Sequence, residues 1–201
     1  MRWLLVLAVA CSSNNGKPGT KVEPAGSGSG SQAASTWTVP AGWKSEVIPF
    51  PLDFAPSLQH TGAEELRFPK GFFDAASGEY FSYAFVWRTT DAAVLDASQL
   101  GQELSVYFQG LISEVDKAKK RTETRAASVA KATANGARFD LVASTFDPFT
   151  TSQAIELIGW AERVTCGGGA IWVFVLAPAK TTIRAELDAL ATAAKTTCDR
   201  G

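Results

Sequence analysis

Between Tyr80 and Arg88 the chain alternates without interruption: Phe81, Tyr83, Phe85 and Trp87 fall on one parity, and Ser82, Ala84, Val86 and Arg88 on the other. Successive side chains of a strand point to opposite faces, so this period of two predicts a strand with one aromatic face. Large rings dominate protein cores, and that face is expected to pack inside. Left uncovered it would line a ligand groove, which makes Phe81, Tyr83, Phe85 and Trp87 candidate binding residues. Glu65-Leu66-Arg67-Phe68 supplies a partner strand through a loop holding Pro69, Gly71, Asp74 and Gly78. Asp96 with Gln99 three residues on has the form of a capping box. Leu100, Leu104, Tyr107, Phe108, Leu111 and Val115 follow at helical spacing, predicting an amphipathic helix over residues 97–117.

A similar order recurs downstream. Residues 139–146 and 155–164 read as strands, Cys166-Gly167-Gly168-Gly169 as a turn, and residues 171–176, apolar on both parities, as a buried strand. Asn135-Gly136 marks a further hairpin turn between Ser128 and Phe146. A helix starts near Thr181 or Thr182, with Ile183, Leu187, Leu190, Ala194 and Cys198 along one face. Each half thus ends in a hairpin followed by a helix. The expected fold class is α+β: a mostly antiparallel sheet covered by two amphipathic helices in a two-layer sandwich. Upstream, Phe50, Leu52 and Phe54 alternate with Pro51 and Asp53. Pro49 and Pro51 have no N–H to give a ladder, so this stretch is an edge strand or an extended segment. It is expected to cap the core edge, with Phe50 and Phe54 as candidate partner contacts if it docks another molecule.

The chain opens differently. Arg2 precedes an apolar run from Trp3 to Ala10, and small residues lead into Cys11. A positive charge, a short apolar region and a small-residue cleavage site are the parts of a secretory signal. The run is far shorter than the roughly 20 residues that cross a bilayer. Ala8-Val9-Ala10-Cys11 resembles the lipobox of bacterial lipoproteins, departing from the commonest pattern at Ala8, where Leu is usual. That resemblance implies a signal peptide over residues 1–10 and an acylated Cys11 as the mature N-terminus, partnered with a membrane through its lipid. Ser12, rather than Asp, follows the cysteine, which in the enterobacterial sorting pattern implies the outer membrane, facing the periplasm. Residues 12–36 are rich in Gly, Ser, Ala, Asn and Pro and lack aromatics, a composition that cannot bury enough apolar surface to fold. Residues 11–36 are therefore expected to be a lipidated tether and residues 37–201 one globular domain. At the start of that domain, Val39-Pro40-Ala41-Gly42-Trp43 is similar to the opening of PsbP-like domains, some of which occur in lipoproteins.

Little in the domain points to chemistry. With 19 basic and 20 acidic residues the chain is nearly neutral, which argues against a nucleic-acid partner. The basic group Lys117, Lys119, Lys120, Arg121 and Arg125 reads as a solvated helix end. His60 is the sole histidine and is expected on a surface loop, so neither a metal site nor a bound cofactor is expected. No Gly-x-Ser-x-Gly elbow is present, and Gly167 to Gly169 lack the lysine of a phosphate loop. Once Cys11 is lipidated, Cys166 and Cys198 remain. Eight strand steps from Gly169 to Ala177 cover about 26 Å, and sixteen helical steps from Thr182 to Cys198 return about 24 Å. An antiparallel return would bring the two cysteines together as a disulfide. The resulting expectation is a non-enzymatic envelope lipoprotein that binds an envelope protein or a small apolar ligand. One alternative is a small hydrolase using His60 with Cys166 or a carboxylate such as Asp53 or Glu64. Another is an assembly protein docking through the Pro-Phe edge.

Overall fold

The aromatic alternation lies in the middle of one sheet. In a computed structural model that describes residues 37–91 and 94–198, seven strands run antiparallel to their neighbours. They are β1 (Lys44–Pro49), β2 (Gly62–Phe68), β3 (Tyr83–Thr89), β4 (Val129–Asn135), β5 (Arg138–Phe146), β6 (Ala154–Cys166) and β7 (Gly169–Ala177), in the spatial order β1-β2-β3-β7-β6-β5-β4. Two helices follow the central strands: α1 (Ala97–Ala118) after β3 and α2 (Arg184–Lys195) after β7. The last strand in sequence is thus central in space. It joins the two halves through the β3–β7 ladder, with Tyr83 opposite Leu176 and Trp87 opposite Trp172. Its run from Ala170 to Ala177 is buried throughout, as a strand apolar on both parities requires. Gly136 turns the β4–β5 hairpin at a φ of 62°, which glycine adopts without steric cost.

The two helices lie on opposite faces of the sheet, so the expected two layers become three. On one face Phe85 of β3 stacks on Tyr107 of α1 with ring centroids 5.7 Å apart, and on Phe174 of β7 at 4.4 Å. On the other face Ala84, Val86, Ile171, Val173 and Val175 pack with Leu187, Leu190, Ala191 and Ala194 of α2. The physical reason lies in the second parity of β3 and β7. Ala84, Val86, Val173 and Val175 are as apolar as the aromatic row is large, and two water-averse faces need two covers.

α1 also closes one edge of the sheet. Ser105 Oγ accepts from the Ala130 N–H at 2.8 Å, and Gln109 Oε1 accepts from the Ser128 N–H at 2.9 Å. These side chains occupy backbone donors that an open edge would offer to another chain. At the opposite edge β1 carries Lys44, Glu46 and the donorless Pro49. The segment after it turns inward: Phe50, Leu52 and Phe54 are buried, with Phe54 edge-on to Tyr107 at 5.3 Å. The capping box forms as expected, with the Asp96 side chain accepting from the Gln99 N–H and Gln99 accepting from the Asp96 N–H. Ile112 takes the buried place expected of Leu111. The strand itself begins at Tyr83. Phe81 precedes it at a φ of 48°, its N–H bonded to the Phe72 carbonyl and its ring stacked on Phe72.

Candidate functional site

Register decides which side chains of β2 face inward. Glu64, Leu66 and Phe68 share the parity that meets α1, while Glu65 and Arg67 face α2. Glu64 stands opposite Trp87 and is completely buried. Trp87 Nε1 donates to its Oε1 at 3.2 Å, and the nearby Tyr107 hydroxyl also favours the charged carboxylate. Its Oε2 has no hydrogen-bond partner among the described residues. Burial favours the neutral acid and pushes the Glu64 pKa up to about 8, against the Trp87 hydrogen bond and the nearby Tyr107 hydroxyl. Burial likewise holds the Tyr83 and Tyr107 hydroxyls well above the usual phenol range.

His60 adjoins this acid on the far side of Trp87, and here the expectation of a surface loop fails. The ring is only 6% exposed, edge-on to Phe50 at 5.3 Å and 5.5 Å from Trp87. Nδ1 lies 3.1 Å from Asp91 Oδ2, and Nε2 lies 2.9 Å from Glu103 Oε2. The Glu103 hydrogen bond, opposed by burial and aided by Asp91, raises the His60 pKa. Thr61 adds its N–H to the same Asp91 oxygen at 3.2 Å. Gly62 and the polar neighbours of His60 indicate a loop, and a loop it is. Phe50 and α1 close over it, however, and neither is local in sequence.

The remaining candidates divide as follows. Phe81, Tyr83, Phe85 and Trp87 are all buried, as are Phe50 and Phe54, so the aromatic row is core with these two as its cap, and of the six Phe54 also borders the groove beside α1. The cause is that α1 and residues 50–56 cover the aromatic face. Cys166 and Cys198 form the expected disulfide, with Cα atoms 5.2 Å apart. Cys11 lies outside the described residues. The basic stretch divides: Lys117 and Lys120 are exposed, as expected of a solvated helix end, while the other three are tied down. Lys119 reaches the Pro148 and Phe149 carbonyls, Arg121 the Pro148 carbonyl at 2.8 Å, and Arg125 the Asp116 carboxylate. On the α2 face, Arg67 lies over the Trp37 ring at 4.4 Å and pairs with Glu65, which also accepts from Arg88. This ionic group seats the start of the domain on the sheet.

An open groove of about 450 Å³ lies outside the core, between the Phe54–Ser57 turn and the outer side of α1. Phe54, Pro56 and Val106 give it an apolar floor, and Ser105, Gln109 and Ser113 a polar rim. No group of three histidine, cysteine or acidic side chains among the described residues is placed to hold a metal ion. Among those residues no helix is long and apolar enough to cross a membrane. Glu64 fell outside the strand expected from Glu65 onward, and its parity with Leu66 and Phe68 is the signal that could have placed it inside. Nothing local announced the pairing of His60 with Asp91 and Glu103. Comparison with family models, curated proteins and solved structures finds no match for this chain.

Proposed function

We propose that the protein is a lipid-anchored component of the cell envelope whose globular domain binds an envelope partner or a small apolar ligand. One observation carries this reading. Of the three cysteines in the chain, two are joined within the domain, and the third follows an apolar run as Ala8-Val9-Ala10-Cys11. A domain disulfide suits an oxidising, exported setting, and an exported chain with one cysteine left at a lipobox-like site suits acylation there. The similarity of Val39–Trp43 to PsbP-like openings points the same way. The groove beside α1 is of a size that accepts a small ligand or a short peptide segment. Two components of a hydrolase are already engaged: Cys166 is oxidised to the disulfide, and both ring nitrogens of His60 face carboxylates. Ser12 after the cysteine favours the outer membrane.

Expression of the full chain in a bacterial host, followed by membrane fractionation and mass spectrometry of the N-terminus, tests the anchor. The wild type is expected in membranes with Cys11 lipidated on its sulfur and its amine. Cys11→Ser is expected to be soluble or to accumulate as precursor. Mature protein carrying an unmodified Cys11 would overturn the reading.

A further inference from the structure

We propose that His60 is a proton-operated latch: the doubly protonated ring ties the early turns of α1 to the loops flanking β2 and β3, and loss of one proton loosens those turns. The argument begins with donors. A neutral imidazole has one N–H and one lone pair, whereas an imidazolium has two N–H groups, and an ionised carboxylate only accepts. With Asp91 Oδ2 at 3.1 Å from Nδ1 and Glu103 Oε2 at 2.9 Å from Nε2, both contacts are attractive only when the ring carries both protons. Deprotonation turns one of them into a lone pair facing an anionic oxygen.

Three separate segments meet at this ring. His60 lies just before β2, Asp91 just after β3, and Glu103 early in α1, at sequence separations of 31 and 43 residues. The two loops are already fastened to each other, since Thr90 donates its N–H to the Thr61 carbonyl at 3.0 Å. The Glu103 contact is the link that reaches the helix. Exposure favours movement over a silent loss of charge: the ring side chain is 5% exposed, while those of Asp91 and Glu103 are 27% and 22% exposed. Once the attraction is gone, either carboxylate regains water by moving outward, and the ring does not.

The groups around the latch share its sign. Asp91 and Glu103 are the charged groups acting on the ring. Beyond Trp87 stands Glu64, which interacts with Glu46 from β1, with Tyr107 from α1 and with Tyr83 from β3. None of these partners is cationic, so His60 supplies the positive charge of the cluster. Binding its proton more tightly folded than unfolded, the ring stabilises the closed state fully below its unfolded pKa near 6.5. That contribution is lost as pH climbs through the raised, folded value.

Because His60 is the sole histidine, its ring signals in the labelled full chain are unambiguous. Nitrogen-detected NMR between pH 5.5 and 9.5 is expected to show both nitrogens protonated at pH 5.5 and a midpoint above 6.5. Hydrogen exchange of amides 98–108, corrected for the intrinsic effect of pH, is expected to speed up across that midpoint. The limit is about tenfold for each unit by which the latch raises the pKa. Glu103→Gln offers the ring an amide that pairs with its neutral form, so it is expected to lower the midpoint and abolish the step in exchange while the fold is kept. Glu64→Gln is expected to leave the step in place. A midpoint at or below 6.5, exchange in α1 indifferent to the ring's titration, or a step that survives Glu103→Gln would each overturn the proposal.

Discussion

Glu64 and His60 flank Trp87, and both hold protons more tightly in the fold than in the unfolded chain. For Glu64 the unfolded carboxyl ionises near 4.5 and the buried one near 8, so stability declines as pH rises between those values. Replacing it with the neutral isostere removes that decline. Glu64→Gln is expected to raise stability at pH 9 by on the order of 2 kcal/mol and to change little at pH 4, as read from urea midpoints. A variant less stable than wild type at pH 9 would contradict the neutral, buried acid. His60→Ala removes a buried ring packed on Phe50 and Trp87 together with both carboxylate contacts. A loss of about 2–3 kcal/mol at pH 6 is expected. The surface-loop reading of the sequence implied less than about 0.5 kcal/mol, and a denaturation curve separates the two.

At the scale of elements, α1 is held from several sides. Its capping box fixes the start, Tyr107 lies against Phe85, Ser105 and Gln109 grip β4, and residues 54–55 press on its outer turn. At Gly110 an added Cβ would lie 2.1 Å from the Phe54 carbonyl oxygen. Helix propensity alone favours Gly→Ala by about 1 kcal/mol, and here packing should win. Gly110→Ala is expected to destabilise the domain by about 1–3 kcal/mol, because the obstruction is backbone and cannot rotate away. Thermal unfolding decides the sign; a stabilised variant would mean that the Phe54–Ser57 turn yields readily. Asp96→Ala, which removes the Asp96 side chain's half of the capping box, is expected to cost about 1 kcal/mol.

For the whole molecule, the disulfide and the buried charges set the limits of stability. The bond closes a span of 32 residues and fastens the end of α2 to the β6–β7 turn. Removing it with Cys166→Ser and Cys198→Ser together is expected to cost about 3–4 kcal/mol on the chain-entropy account. Amide exchange should rise first in the last turn of α2. Acid acts elsewhere. Burial pushes the Asp147 pKa up, but N–H groups of Thr151 and Thr150 and the hydroxyls of Tyr80 and Thr151 outweigh it and hold the carboxyl below its ordinary value. Its contribution is therefore present above about pH 4 and lost as pH falls through the folded value. His60 and Glu64 weaken the fold on the alkaline side. A stability maximum near pH 4 to 5, above the Asp147 loss and at the foot of the Glu64 decline, is the expected outcome of a urea–pH series.

What the sequence determined by itself was local. The alternation through Tyr83–Trp87, the doubly apolar β7, the Asn135-Gly136 turn and the Asp96–Gln99 box each depend on neighbours within a few residues. All appear where their pattern places them. The cysteine pairing was legible too, since strand and helix rises are fixed lengths that nearly cancel. Tertiary structure decided the rest. Whether the helices share a face depended on which parity each one covers, and the apolar second face of β3 and β7 drew α2 to the side opposite α1. The fate of the aromatic row rested on α1 and on residues 50–56 closing over it. His60 came to lie buried between two carboxylates, and Glu64 became a buried acid, because side chains distant in the chain surround them. Burial and charge pairing are properties of who the neighbours are, and only folding chooses those neighbours.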